Sequence, residues 1–238
     1  MAELTGTSQS APGDESVAAP AQERKLRKIA IVGGGPGRMK APFKDRSWEI
    51  WAFSSRRGRL PRISRWFEIH AMTDLRQQLA GKKKGRRSYR NYMRFMRRLK
   101  CPVYMRKAYR RIPKSVKFPL DPLLERFGRI FTSTASYMIA LAIVEGCDVI
   151  GLWGVNLDRR EYWRQRPAIR YLLAVARQNG IKLVLPRRFP MKIPATPPRV
   201  KKTRVLYAYD WRKRGAWWRE RVRRRLRRKR RLRRRRRR

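Results

Sequence analysis

The sequence predicts an α/β fold, a Rossmann-like, doubly wound and mostly parallel sheet, on three observations. Apolar runs rich in β-branched residues alternate with stretches of helical spacing from residue 28 to about 186. The first of these runs, KIAIV, breaks at once into GGGPG. The segment from Phe131 to Leu157, FTSTASYMIALAIVEGCDVIGLWGVNL, joins a polar turn, an apolar helix, a glycine stop and a buried strand. In such sheets ligands sit beyond the carboxyl ends of the strands, where a helix N-terminus offers N–H groups to an anion.

Residues 1–27 read as a disordered tail. Positions 1–23 hold four acids, no Lys or Arg, and no leader-like apolar stretch. A Rossmann-like nucleotide-binding domain is expected over 28–188. Its first strand ends in Gly33, Gly34, Gly35, Pro36 and Gly37, where glycines let the backbone turn sharply and approach a phosphate or carboxylate. The same pattern also suits a plain tight turn, and Pro36 departs from the dinucleotide fingerprint.

Trp48 to Phe53 reads as the second strand, ending in Ser54 and Ser55, and Arg65 to Ile69 as the third, ending in His70. His70 is the only imidazole, so it is a candidate general acid or base, or else a hydrogen-bonded structural residue. Residues 74–100 read as one amphipathic helix covering the sheet, with Tyr89, Tyr92, Met93, Met96 and Leu99 inward. Its interleaved cations, with Lys82 to Arg87 before them, also fit a single-strand or RNA binder.

A short strand is expected near Pro102 to Met105, then a loop from Pro113 to Pro122 and a short helix over Leu123 to Phe127. In the central segment, Thr132, Ser133 and Thr134 cap a helix that Gly146 stops, and the strand from Asp148 to Trp153 closes on Gly154, Val155 and Asn156. Beyond it Glu161, Tyr162, Gln165 and Arg166 stand where substrate contacts belong. Ile169 to Gln178 continues as a helix and Ile181 to Leu185 as a strand.

Five prolines between Pro186 and Pro198 exclude regular structure, so residues 189–209 read as a linker or a strap laid over the domain. Residues 210–238 form an Arg-rich extension, helical or disordered, whose Trp217, Trp218, Val222 and Leu226 offer an anchor.

Charge is the compositional anomaly. Lys plus Arg number 65 against 16 Asp plus Glu, a net +49. The last 28 residues hold 19 of those cations and one acid, which leaves 46 cations and 15 acids in the body. A polyanion, nucleic acid above all, is the implied partner, reached through the tail; biased base composition of the gene is the other account. Cys101, Cys147 and His70 provide no metal spacing, so no metal is expected, and the two thiols suit a cytoplasmic protein. No run approaches the ~18 apolar residues of a membrane span.

The combination IAIVGGGPG, TSTASYMIALAIVEGCDVIGLWGVNL and EYWRQRPAIRYLLAVARQNGIKLVLP resembles a group of uncharacterised phage and prophage proteins. More distantly it resembles the bacterial CMP-sialic-acid-dependent sialyltransferases and the hydroxymethylpterin pyrophosphokinase-like proteins. The match covers roughly residues 28–186, with a late echo in LYAYD, Leu206 to Asp210. It implies that a nucleoside phosphate or nucleotide sugar is held by Gly33, Gly35, Pro36, Thr132, Ser133, Gly154, Asn156 and Tyr162. Three departures accompany it: glycine replaces an Asn in the first loop, Asn156 stands for an Asp, and the family's downstream catalytic histidine has no counterpart. Catalysis would then fall to His70 or Glu68 as proton acceptor.

Two functions follow. One is a nucleotide-dependent, glycosyltransferase-like enzyme, with Ser54 at the rim and Arg166 or Tyr162 stabilising the leaving phosphate. The other is a non-enzymatic nucleic-acid-binding protein on a degenerate scaffold of the same fold.

Overall fold

The computed structural model describes residues 24–53, 60–80, 85–157, 163–187 and 189–210. Seven short segments become strands, the five inner ones being runs between polar or glycine-containing breaks with neighbours on both sides to satisfy their backbone. They are β1 (Lys28–Val32), β2 (Trp48–Phe53), β3 (Arg65–Glu68), β4 (Val103–Met105), β5 (Ser115–Lys117), β6 (Val149–Trp153) and β7 (Lys182–Val184). All six pairings are parallel, in the order β5-β4-β3-β2-β1-β6-β7. The direction of winding reverses between β1 and β6, which makes that boundary the topological switch point of a Rossmann-like sheet.

Helices cover both faces. One carries α1 (Met72–Ala80) and α2 (Gly85–Arg98), where Leu75, Leu79, Tyr92 and Met96 pack on Ala30, Ile50, Trp66 and Val103. The other carries α3 (Leu120–Phe127), α4 (Thr134–Val144) and α5 (Arg166–Gln178), packed on Ile29, Ile31, Trp51 and Ile150. Ten of the eleven residues of α4 are buried, which explains why its sequence is apolar all round. Because α4 returns the chain to the start of a parallel strand, its N-terminus stands at the carboxyl rim.

The amino rim is closed by charge. Arg27 reaches Glu49 at 2.9 Å and also pairs with Glu145, while Arg65 reaches Glu145 at 2.7 Å and Glu49 at 3.3 Å. This ring of two arginines and two glutamates ties the starts of β1, β2 and β3 to the end of α4. Trp51 Nε1 donates to Glu49 at 3.0 Å, and the Arg65 guanidinium stacks on the Trp51 ring at 4.6 Å. Arg24 pairs with Asp148 beside it.

Three elements differ from the sequence expectation. The span expected as one helix over 74–100 is two helices, with Gly85 opening the second. The loop expected from Pro113 contains β5, an edge strand with exposed Val116 and Lys117. The helix expected from Leu123 starts at Leu120, because Pro122 sits in its first turn, where no N–H is needed. The proline-rich segment, expected as a linker or a strap, has no helix or strand among its described residues and buries Ile193, Leu206 and Ala208 in the core, so it is a strap.

Cys147 is buried, which pushes its thiol up to about 12; Cys101 is half-buried and its thiol is raised by the same cause. Both are free. Among the described residues no group of three His, Cys, Asp or Glu side chains is placed to hold a metal, and no helix is long and apolar enough to cross a membrane. Residues 1–23 and the Arg-rich segment 211–238 lie outside the described residues.

Candidate functional site

At the switch point the loop after β1 interlocks with the loop after β6. Gly33 N donates to Trp153 O at 2.8 Å and Gly35 N to Gly154 O at 2.9 Å. A Cβ on Gly33 would lie 2.5 Å from Gly154 O, and one on Gly35 would lie 2.5 Å from Asn156 Oδ1. Gly154 has φ +62° and would meet Arg38 Cβ at 2.8 Å. These three positions are therefore glycine so that two loops can touch. The expectation that the loop glycines serve approach to a ligand is corrected to that extent: the first object they admit is the neighbouring backbone.

Beside the interlock a cleft of about 330 Å³ opens beyond β1, β6 and β7. Pro36, Gly37 and Lys40 line one side, Trp153, Gly154 and Asn156 the floor, and Leu185, Arg187 and Phe189 the other side. No described carboxylate lines it. Lys40 and Arg187 are exposed and pair with no described acid. Aromatic and aliphatic walls with two unneutralised cations suit an anionic ligand that has a flat apolar part.

The Thr132–Ser133 turn stands at the same rim, over β1. Ser133 caps α4: its Oγ accepts from Ser136 N at 3.2 Å, while Ser136 Oγ accepts from Ser133 N at 3.2 Å. This capping box engages the Ser133 hydroxyl within the helix. Thr132 Oγ1, by contrast, is enclosed and has no hydrogen-bond partner.

Further along the rim, β3 ends in a polar chain. Trp66 Nε1 donates to Tyr92 Oη at 3.2 Å, and Tyr92 Oη donates to Glu68 Oε2 at 2.6 Å. Glu68 Oε1 stands 2.6 Å from His70 Nδ1, and His70 Nε2 stands 2.9 Å from Tyr207 Oη. Glu68 is only 4% exposed, so its charge is sustained by these donors and not by water. A carboxylate on Nδ1 favours the proton there, which leaves Nε2 as the acceptor of the Tyr207 hydroxyl. Burial, with the Glu68 charge second, pushes the Tyr92 phenol well above its ordinary value, so Tyr92 stays a donor.

The strap delivers Tyr207. Its N–H donates to Phe131 O at 3.2 Å and its carbonyl accepts from Tyr137 Oη at 3.1 Å. Ala208, with φ +63°, turns the chain there, and Arg106 holds its carbonyl at 3.2 Å while covering the Tyr209 ring at 4.9 Å. Tyr209 Oη is buried without a partner. Arg129 anchors the end of the strap through Asp210 at 2.6 Å.

The remaining sequence candidates divide. Arg166 opens α5 and donates Nε to Leu157 O at 2.7 Å, bracing the loop after β6 and not lining the cleft. Ser54 and Tyr162 lie outside the described residues.

No family model matches the chain, and no curated protein matches it. Among solved structures it is similar to the sialyltransferase CstII from Campylobacter jejuni in complex with cytidine-5'-monophosphate, at 12% identity and a TM-score of 0.44, over 76% of this chain and 89% of that one. A second is the α-2,3-sialyltransferase of the same organism in apo form, at 13% identity and TM-score 0.44, over 79% and 89%. A third, CST-II with a trisaccharide acceptor and CMP, matches at 12% identity and TM-score 0.42, over 76% and 93%. At these values the likenesses bear on neither ligand nor reaction, and the description of the rim stands on its own residues.

Those residues include several that the sequence reading left out. Tyr207 completes the His70 contact from 137 positions away, and Lys40, Arg187 and Phe189 line the cleft from segments without a motif. The LYAYD echo was the one available signal for Tyr207. Nothing in the sequence marked Lys40 or Arg187 among so many cations.

Proposed function

We propose that the chain is a nucleotide-binding, glycosyltransferase-like transferase of the phage or prophage type that its sequence resembles. A nucleoside phosphate or nucleotide sugar occupies the cleft beyond β1, β6 and β7, its phosphate against Lys40 and Arg187 and its base between Trp153 and Phe189. The observation that carries this reading is the cleft at the switch point, lined by no described carboxylate, with Lys40 and Arg187 on its walls paired with no described acid.

His70 is the proton acceptor, oriented by Glu68. From β6 to β3 is three strand spacings, about 14 Å, so a nucleotide seated in the cleft directs an attached sugar along the rim toward the imidazole. The acceptor hydroxyl takes the place of Tyr207 on Nε2 and gives up its proton there. Its oxygen bonds to the sugar as the bond to phosphate breaks, and the nucleoside phosphate leaves toward the two cations.

The second reading, a non-enzymatic nucleic-acid-binding protein on a degenerate scaffold, is favoured by one observation. The N–H groups of Gly33 and Gly35 are already used within the fold, which leaves fewer donors for phosphate.

Titration with nucleoside mono- and diphosphates, followed by thermal unfolding at low and high salt, separates the two. At a hundredfold excess over Kd the first reading expects a rise in Tm of about 5 to 10 °C that survives high salt. The rise is expected to be lost in the Lys40→Ala, Arg187→Ala double variant. No nucleotide-dependent shift at either salt would remove it. His70→Ala is expected to bind nucleotide normally and turn nothing over, so full activity in that variant excludes His70 as the base.

A further inference from the structure

We infer that the half of the molecule built from α2, β4 and β5 is a docking surface for double-stranded nucleic acid, separate from the cleft and from the Arg-rich terminus. Between Asp74 and Asp121 the sequence contains no Asp or Glu and 17 Lys or Arg. The fold gathers that stretch at one end of the sheet, since β5 is the edge strand and β4 its neighbour. Ile112, from the connection between β4 and β5, packs in the same cluster as Tyr92 and Met96 of α2. Helix and connection therefore lie side by side on one face.

On α2 the residues Arg90, Arg94, Arg97 and Arg98 are exposed at successive turns. At ~1.5 Å of rise per residue, Arg90 and Arg98 stand about 12 Å apart along the helix, a spacing over which several phosphates of a strand pass. The connection and the edge strand add Lys107, Arg110, Lys114 and Lys117, all exposed. None of these cations pairs with a described carboxylate, in contrast to Arg27 and Arg65 at the amino rim.

The chemistry selects the partner. The apolar side of α2 is used up against the sheet, with Tyr92 and Met96 buried, so no apolar face remains to enter a bilayer. Among the described residues Val116 is the one large hydrophobic side chain exposed in this half, which provides neither the apolar centre of a protein interface nor an aromatic platform for stacking unpaired bases. What remains is a rigid array of cations, which fits the backbone of a duplex and reads no sequence.

Lysine-reactive footprinting of the full chain, free and with a random-sequence DNA duplex of about 25 base pairs, tests the location directly. Lys100, Lys107, Lys114 and Lys117 are expected to be protected several-fold more than Lys182 and Lys192, which lie at the other end of the sheet. Equal protection across the two sets, or protection confined to the terminus, overturns the inference. In the same chain Arg90→Gln, Arg94→Gln, Arg98→Gln is expected to keep its Tm and to reduce the slope of log Kobs against log salt by about 2 to 3. An unchanged slope overturns it as well. So does tighter binding to a single strand of equal length, or to phosphatidylserine vesicles, with the same lysines protected. Nucleotide binding in the cleft is read in a separate titration, so either proposal can fail without the other.

Discussion

The two rims of the sheet use buried polarity in opposite ways. At the amino rim a set of charges is matched within the fold: Arg27, Glu49, Arg65 and Glu145 close on one another. At the carboxyl rim the polar groups point outward or end in orphans. Among the described residues Thr132 Oγ1 and Tyr209 Oη have no partner, Lys40 and Arg187 face a cleft that no acid lines, and the buried Glu68 holds a part-exposed histidine. Packing alone rewards the first arrangement and penalises the second. The proposed function draws on that difference, since it uses the end of the sheet where the fold leaves hydrogen bonds unmade among the described residues.

The largest expected effect tests whether the loop glycines belong to packing. Gly33→Ala puts a methyl group 2.5 Å from Gly154 O and is expected to cost about 3 kcal/mol, read as a Tm loss of about 6 to 12 °C with no ligand present. A neutral substitution would show that the interlock is loose.

Breaking the amino rim comes next. Glu145→Ala leaves Arg27 and Arg65 to share Glu49 alone, and with side chains that are only partly buried the loss is expected to be about 2 kcal/mol in chemical denaturation. Nucleotide binding is expected to be unchanged. A defect in binding would mean that the two rims are coupled.

A smaller effect concerns acid. Burial alone would raise the Glu49 carboxyl, but hydrogen bonds from Arg27 and Trp51 and the Arg65 charge hold it below the ordinary carboxylate range. A carboxyl lowered by folding contributes stability that is fully present above its unfolded value and is lost as pH falls through its folded one. Stability is thus expected to be flat near neutrality and to decline below pH ~4.5, less steeply in Glu49→Gln. Identical acid limbs would remove Glu49 from the account.

The smallest effect has the opposite sign. Thr132→Val replaces an enclosed, unpartnered hydroxyl by a methyl of the same shape and is expected to stabilise by up to about 1 kcal/mol, with nucleotide binding in the cleft unchanged. Destabilisation would show that the hydroxyl has a structural partner.

The fold was legible in the sequence where burial is two-sided. β1, β2 and β6 are continuous apolar runs because helices cover both faces, and such runs announce themselves. β5 was not legible because SVK is an exposed edge, with only its pairing to β4 to make it a strand. At the site, the glycines and the hydroxyl turn were visible, but their reasons differ from the obvious ones: Gly33 and Gly35 admit a neighbouring loop and Ser133 caps α4. The partner of His70 was out of reach, since periodicity carries no information about contacts 137 residues apart.

That separation also orders events during synthesis. All seven strands leave the ribosome before Tyr207 does, so a nascent chain can complete its sheet while the imidazole is still uncovered on its Nε2 side. The strap is the closing stitch, and the rim acquires its final form only when the last described residues are laid down.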